Sequence, residues 1–454
     1  MERRVYELLD SYRGELTETL QRWIRVPSVK GESAEGAPFG KEVRRMLDTA
    51  MEDARRMGFP VRDFDGYACD ITLGDAEEKI AVLGHLDVVP VGDGWTRPPF
   101  DAVMEGTRMY GRGTNDDKGP SLAALYAMRA IREAGIPLKK SIRMILGCDE
   151  ESGWEDMEWY AAHTDMPETG FSPDASFPVI NTEKGMIHLL LRGKDAEGGV
   201  RVLEMATGDR PNVIPGESTA LLEGGEELAE KIRAWGEKTG LPFTAEVTEK
   251  GVQVTATGIP GHSAYPEGRR NAIGMMLCLL RELGAEGTVR TLAEAVGMEQ
   301  DGKSLGCACR DDVSGELTCN MGILHLKDGE WTGTLDFRCP VTADQEALKN
   351  TAIAHLPGIE VEVLELKEPH HVPADGWLVS RLLAAYEEET ALKGEAIATG
   401  GGTYAKILKQ GVAFGALFPD EEDLAHQADE YTDIDRLMTA ARIYANALIR
   451  LAAE

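Results

Sequence analysis

The feature that most restricts the fold is a pair of apolar runs, KIAVLGHLDVV (79–89) and SIRMILGCDEE (141–151), separated by a helical segment, KGPSLAALYAMRAIREAG (118–135). Short apolar runs without polar alternation suit strands buried on both faces. Strand, helix, strand in that order implies a parallel sheet with right-handed crossovers, and ligand sites in such sheets form outside the carboxyl ends of the strands. One such end carries His85 and Asp87, another Asp149, Glu150 and Glu151. A strand that only filled a core would be expected to carry neither His85 nor Asp87.

The chain from about 185 to 368 has a different texture. HLLLRG, ALLEGG, TAEVTEKGVQVTATG and ELTCNMGILHLKDGEWTGTLDFR alternate as antiparallel strands do, and NAIGMMLCLLRELG reads as a helix. After His370 and His371 the pattern returns to a helix (WLVSRLLAAYEEETAL), a buried GVAFGALF and a long terminal helix from about Asp433. The expectation is an α/β domain of two parts, 1–184 and 369–454, with a mixed, mostly parallel sheet flanked by helices, and an inserted α+β domain over 185–368. At 454 residues the chain is long enough for such a division.

Charge and patterning exclude several classes of partner. Seventy-eight acidic against 48 basic side chains leave a net charge of -30, which repels phosphate backbones and anionic headgroups, so neither nucleic acid nor a membrane surface is expected. The first residues place Val5, Leu8, Leu9, Tyr12, Leu16, Leu20 and Ile24 at helical spacing among charges, an amphipathic helix rather than a signal peptide. No apolar run approaches the roughly 18 residues that span a bilayer. Seven cysteines, scattered and odd in number, fit reduced thiols and a cytoplasmic setting better than a disulfide framework.

Chemistry could reside in several motifs, each with a plainer explanation. His85 and Asp87, two apart on a strand, face one side, as a metal-binding imidazole and the carboxylate that orients it would; a hydrogen-bonded core histidine is the alternative. YGRGTNDDKGPS (110–121) puts Asp116 and Asp117 in a glycine-rich turn before a helix, where a capping role competes with metal binding. In CDEES (148–152) three adjacent acids repel one another unless a cation or a proton intervenes, or unless the loop is solvated; one carboxylate could bind metal while its neighbour serves as general base. Asp174 suits an Asx-turn, His426 a surface histidine, His262 a loop hydrogen bond, and Arg338 a surface ion pair or a carboxylate clamp. The glycines of TGGGTYAK (399–406) lack phosphate-loop spacing.

Taken in order, HLD, GRGTNDDKG, DEE, SPD and AHQ resemble the metal-dependent exopeptidase and deacylase family that includes carnosinase-type dipeptidases, aminoacylases and desuccinylases. EESGWEDMEWY, SPDASFPVINTEKG and GGGTYAK followed by GVAFGALFP resemble its broad-specificity bacterial dipeptidases. The resemblance implies a zinc-exopeptidase-like catalytic domain with a lid, and two divalent ions, zinc with manganese or cobalt as alternatives. It implies His85, Asp116 and Asp174 on one ion, Glu151 and His426 on the other, Asp116 shared, and a cis peptide between Asp116 and Asp117. Glu150 would be general base and acid, Asp87 would orient His85, and His262 would polarise the scissile carbonyl. Asn212, Arg338 and Gly401 would bind the substrate backbone and its carboxylate. The inserted domain is long enough to supply its histidine from the same chain, which implies a working monomer. The expected activity is hydrolysis of short peptides with a free N-terminus; N-acyl amino acid deacylation and a non-catalytic metal-binding homologue are the alternatives.

Overall fold

The computed structural model describes residues 2–194 and 198–453. They form two compact units: Met1–Asn181 with Val372–Ile397 and Gly402–Glu454, and Thr182–His371 with Ala398–Gly401. Ala398–Gly401, placed by the sequence reading with the returning part of the first domain, thus belongs with the inserted one.

The first unit is built on a mixed sheet in the order Val61–Phe64, Ala68–Leu73, Ser141–Gly147, Lys79–His85, Thr169–Ser172, Gln410–Ala413, Val179–Glu183. Its centre is parallel: Lys79–His85 pairs in parallel with both Ser141–Gly147 and Thr169–Ser172, and Gln410–Ala413 runs parallel to the latter. Ala68–Leu73 runs antiparallel to Ser141–Gly147 and to Val61–Phe64, and Ala413 meets Ile180 in antiparallel sense. Alternate residues of the central strands enter different cores, as a period of two requires. Ile80, Val82, Ile142, Met144 and Leu146 join the large cluster under helices Glu2–Ile24, Lys118–Glu133 and Ile434–Ala452, while Ala81, Leu83 and Ile145 face Met157, Tyr160, Tyr404 and Leu408. Burial on both sides explains why these strands read as unbroken apolar runs.

One glycine sets how closely a helix approaches this sheet. A Cβ on Gly84 would lie 1.9 Å from Ser121 Oγ and 2.8 Å from Asp117 Oδ2, so only glycine lets helix Lys118–Glu133 start against the strand end. That contact carries the two aspartates before the helix to the level of His85.

The second unit is an eight-stranded antiparallel sheet in the order Phe243–Thr248, Gly251–Thr257, Glu217–Leu222, Val202–Thr207, Thr318–Lys327, Glu330–Cys339, Gly185–Lys194, Glu360–Lys367. Ile187, Leu189 and Leu191 are buried and share a core with Ile273, Met276 and Leu280 of helix Ala272–Glu282 and with Leu292 of helix Thr288–Ala295. His188 and Leu190, between them, are only partly buried, the alternation of a sheet covered on one face. All seven cysteines are free. No helix among the described residues is long and apolar enough to cross a membrane.

Candidate metal centre

In the first unit the strand ends bring the sequence motifs together. His85 closes strand Lys79–His85, the acids 149–151 follow strand Ser141–Gly147, Asp174 follows strand Thr169–Ser172, and Asp116 precedes helix Lys118–Glu133. His426 joins them from a loop, in the left-handed region at φ 62°. His85 Nε2 lies 2.9 Å from Asp116 Oδ1 and 3.7 Å from Asp174 Oδ2. His426 Nε2 lies 3.1 Å from Asp116 Oδ2 and 2.9 Å from Glu151 Oε2. Two groups of potential ligands result, His85, Asp116 and Asp174, and Asp116, Glu151 and His426, joined through the two oxygens of Asp116.

The adjacent aspartates divide their labour. Asp117 Oδ2 accepts from Ser121 Oγ at 2.7 Å and from the His85 main-chain N–H at 3.2 Å, tying helix to strand. Asp116 faces the histidines. The peptide between the two is cis.

Asp87 acts differently from the simple pairing read from the sequence. Its carboxylate accepts the main-chain N–H groups of Glu150 and Glu151, each at 3.2 Å, and so shapes the turn that carries both acids. His85 Nδ1 is 3.1 Å from the main-chain carbonyl of Asp87 and 3.5 Å from its carboxylate. A carbonyl oxygen only accepts, so Nδ1 carries a proton. Burial opposes a charged ring, but Asp174, Asp116 and Asp87 prevail and raise His85 well above its ordinary value, so without a metal ion Nε2 holds a second proton toward Asp116, the place a metal ion would take. A lone pair and a carboxylate oxygen at 2.9 Å repel unless a proton or a metal ion lies between them.

The electrostatics of the cluster agree. Burial and the charge of Asp116 push the Asp174 carboxyl up to about 6 and the Glu151 carboxyl up to about 7. Burial and then the charge of Asp174 push Glu150 well above the ordinary carboxylate range. Burial opposes a charged His426, but its hydrogen bonds to Asp116 and Glu151 prevail and push it up to about 11. Hard carboxylate oxygens with imidazole nitrogens and no thiolate form a donor set that fits zinc, manganese or cobalt.

Two supports were invisible in the sequence. Asp156 accepts from the main-chain N–H of Cys148 at 2.6 Å, from that of Asp149 at 3.0 Å and from the Tyr404 hydroxyl, holding the turn before Glu150. Tyr404 in turn meets the His85 ring edge-on, centroids 6.3 Å apart.

The remaining candidates lie in the second unit. Arg338 on strand Glu330–Cys339 is 2% exposed, not a surface residue. Its Nε and Nη2 donate to Asp336 at 3.2 and 3.0 Å, and Nη1 donates to the Gly400 carbonyl at 2.8 Å. Asp336 also accepts from the Ser263 hydroxyl and lies 3.1 Å from His188 Nε2, while His188 Nδ1 lies 3.0 Å from Glu365. Ser263 follows His262, and its N–H donates to the Asn212 carbonyl at 2.9 Å. His262 Nδ1 accepts from the Ala264 N–H at 3.1 Å, so in the neutral imidazole the proton resides on Nε2. Gly401 donates its N–H to Thr399 Oγ1 at 3.1 Å. An acid two residues before Arg338, in TLDFR, was the available hint of this network.

The first unit is thus an α/β domain with a histidine and carboxylate cluster at its strand ends. The chain belongs to Peptidase family M20/M25/M40, whose model matches residues 81–450, and is a peptide-bond hydrolase. It is 38% identical to YtjP of Bacillus subtilis, over 96% of this chain and 97% of that protein. It is 31% identical to the Beta-Ala-Xaa dipeptidase of Lactobacillus delbrueckii subsp. lactis, over 98% of this chain and 97% of that one. Among solved structures, human carnosine dipeptidase 1 shares the fold with a TM-score of 0.60 at 15% identity, covering 99% of both chains. The dipeptidase Dug1p of Saccharomyces cerevisiae does so with a TM-score of 0.63 at 15% identity, covering 99% of this chain and 98% of that one.

Proposed function

We propose that this chain is a metal-dependent dipeptidase in which His85, Asp116 and Asp174 hold one divalent ion and Asp116, Glu151 and His426 a second. The observation that carries the reading is the convergence of His85 Nε2 and His426 Nε2 on the two oxygens of Asp116, at 2.9 and 3.1 Å, within a cluster of buried acids. Two divalent ions, zinc by preference with manganese or cobalt able to replace it, supply Lewis acidity toward a water molecule and the scissile carbonyl.

The chain's own residues supply the rest. Glu150 removes a proton from the attacking water as its oxygen adds to the carbonyl carbon. When the C–N bond breaks, Glu150 returns that proton to the leaving amine. Asp87 fixes both His85, through its carbonyl, and Glu150, through its carboxylate. The Nε2 proton of His262 is suited to donate to the developing oxyanion, a role worth about a hundredfold or more in rate. Arg338 has five N–H donors, of which the bonds to Asp336 and Gly400 employ three, leaving two for a substrate carboxylate. Asn212 and Gly401 complete recognition of the substrate backbone and carboxylate.

The length of the inserted unit supports a working monomer, and the free cysteines support a reducing, cytoplasmic setting. Hydrolysis of a dipeptide and of its N-acetylated form, in zinc, manganese or cobalt, tests the reading. Faster cleavage of the free dipeptide is expected. Preference for the acetylated form would reassign the chain to N-acyl amino acid deacylation, and no turnover with any of the metals would end the catalytic reading.

A further inference from the structure

Four residues after His426, in AHQADE, stands Glu430, 0% exposed and outside every role assigned above. Its Oε1 accepts the main-chain N–H groups of Gly113, Asn115 and Asp116 at 3.0, 2.9 and 3.2 Å. Its Oε2 accepts from Arg112 Nη1 at 2.7 Å. Arg112, 1% exposed, also donates to the Val91 carbonyl at 3.3 Å and lies over the Trp95 ring at 5.2 Å. The main chain continues the attachment: the Gly111 N–H donates to the Glu430 carbonyl at 2.9 Å, and Tyr431–Asp433 pairs antiparallel with Arg108–Tyr110.

A buried arginine and glutamate pair is weak evidence for stability, because desolvating two charges offsets their attraction. What the arrangement provides is geometry. Three amides converging on one oxygen form an anion-binding concavity made by the loop that ends in Asp116. Asp116 meets two partners at once, one oxygen facing His85 and the other His426. Glu430 grips this loop from the same segment that carries His426.

We propose that Glu430 is a positioning residue of the metal centre, which by holding the main chain of Gly113–Asp116 sets the Asp116 carboxylate between His85 and His426. The inference rests on the two-ion reading above. Its consequence is that metal affinity and coordination geometry depend on a residue that is not itself a ligand.

The test is titration of metal-stripped full-length protein with zinc, followed by calorimetry, and with cobalt, followed by visible absorption. Glu430→Gln keeps the shape but puts an amide N–H against donors of Arg112 or of the loop. It is expected to weaken metal binding by about 10- to 100-fold, alter the cobalt spectrum, and lower kcat with little change in KM. Wild-type affinity and an unchanged spectrum would overturn the proposal. If the single variant fails to fold by circular dichroism, Arg112→Met with Glu430→Gln removes both buried charges and is expected to fold with the same metal defect; wild-type metal binding in that pair would equally overturn it. Asp53→Asn, at a buried acid that accepts from Trp23 and Arg22, is the control for general destabilisation. It should leave the cobalt spectrum unchanged, and an equal change there would refute a positioning role. Wild-type protein that binds neither metal would fail the two-ion reading instead.

Discussion

The clusters of the two units treat buried acids in opposite ways. In the first, Glu150, Glu151 and Asp174 are held above the ordinary carboxylate range, first by burial and then by one another or by Asp116, and only Asp116, between His426 and His85, is lowered against its burial. In the second, burial pushes Asp336 the same way, but His188 and Arg338 outweigh it and leave the carboxyl lowered. The His188 hydrogen bond likewise draws Glu365 down to about 2 against its burial. The second network therefore balances its own charge, and the first does so only with protons or metal ions.

Glu150→Gln should break the contrast most sharply. It is expected to lower kcat by about 10²- to 10⁴-fold while metal content, measured by atomic emission, stays at the wild-type level. Equal loss of metal would move Glu150 into the ligand set.

Metal removal comes next. Chelation should abolish activity, and returning zinc, manganese or cobalt should restore it. Because His426 without metal is pushed up to about 11, metal binding must expel its proton, so affinity should fall as pH falls, about tenfold per unit for each proton displaced. Calorimetry in buffers of different ionisation enthalpy counts those protons, and a count of zero would contradict the charge state assigned to the cluster.

Arg338→Lys tests the self-balanced side. Loss of the planar fork should raise KM about 10- to 100-fold for dipeptides with a free carboxylate, and far less for their C-terminal amides. An equal penalty on both substrates would make Arg338 structural only.

The smallest effect concerns His188. Glu365, with its pKa lowered, contributes stability above its ordinary 4.5 that is lost as pH falls toward about 2. Burial opposes the charged His188, but Asp336 and Glu365 raise its pKa, so its contribution is full below 6.5 and is lost as pH rises through the raised value. The difference in thermal midpoint between wild type and His188→Gln should therefore peak between those two pH values. It should correspond to ~1 kcal/mol at most, because Glu365 is 34% exposed. A flat difference from pH 3 to 9 would remove the charge from His188.

The legible part of the molecule was the part with local pattern. Apolar runs ending in HLD and CDEE marked parallel strands and the rim where acids collect, because polar residues are rare in strands buried on both faces. Asp156 and Glu430 were not legible, and Asp336 left only the hint of an acid two residues before Arg338. Each is one acid in an acid-rich chain, and what distinguishes it is a set of donors reached through the fold, with Tyr404 lying 248 positions from Asp156 and Arg112 lying 318 from Glu430. Ala398–Gly401 was misassigned for a related reason. A glycine run carries no hydrophobic period, and its place follows from the Arg338 bond to the Gly400 carbonyl and from Ala264, 2.5 Å from where a Gly400 Cβ would stand.

The first unit is discontinuous in the chain, and this bears on its synthesis. Helix Glu2–Ile24 packs with Ile434–Ala452, Arg13 pairs with Asp435, and strand Gln410–Ala413 lies beside Thr169–Ser172. The second unit, apart from Ala398–Gly401, is one continuous stretch of sequence and can begin to fold as it leaves the ribosome. The first has to keep its early strands competent until helix Ile434–Ala452 emerges, a demand that contacts of high sequence separation make slow. His426 is made 275 positions after Glu151, so a nascent chain cannot assemble the centre until the whole of the second unit's continuous stretch and His426 itself have been translated.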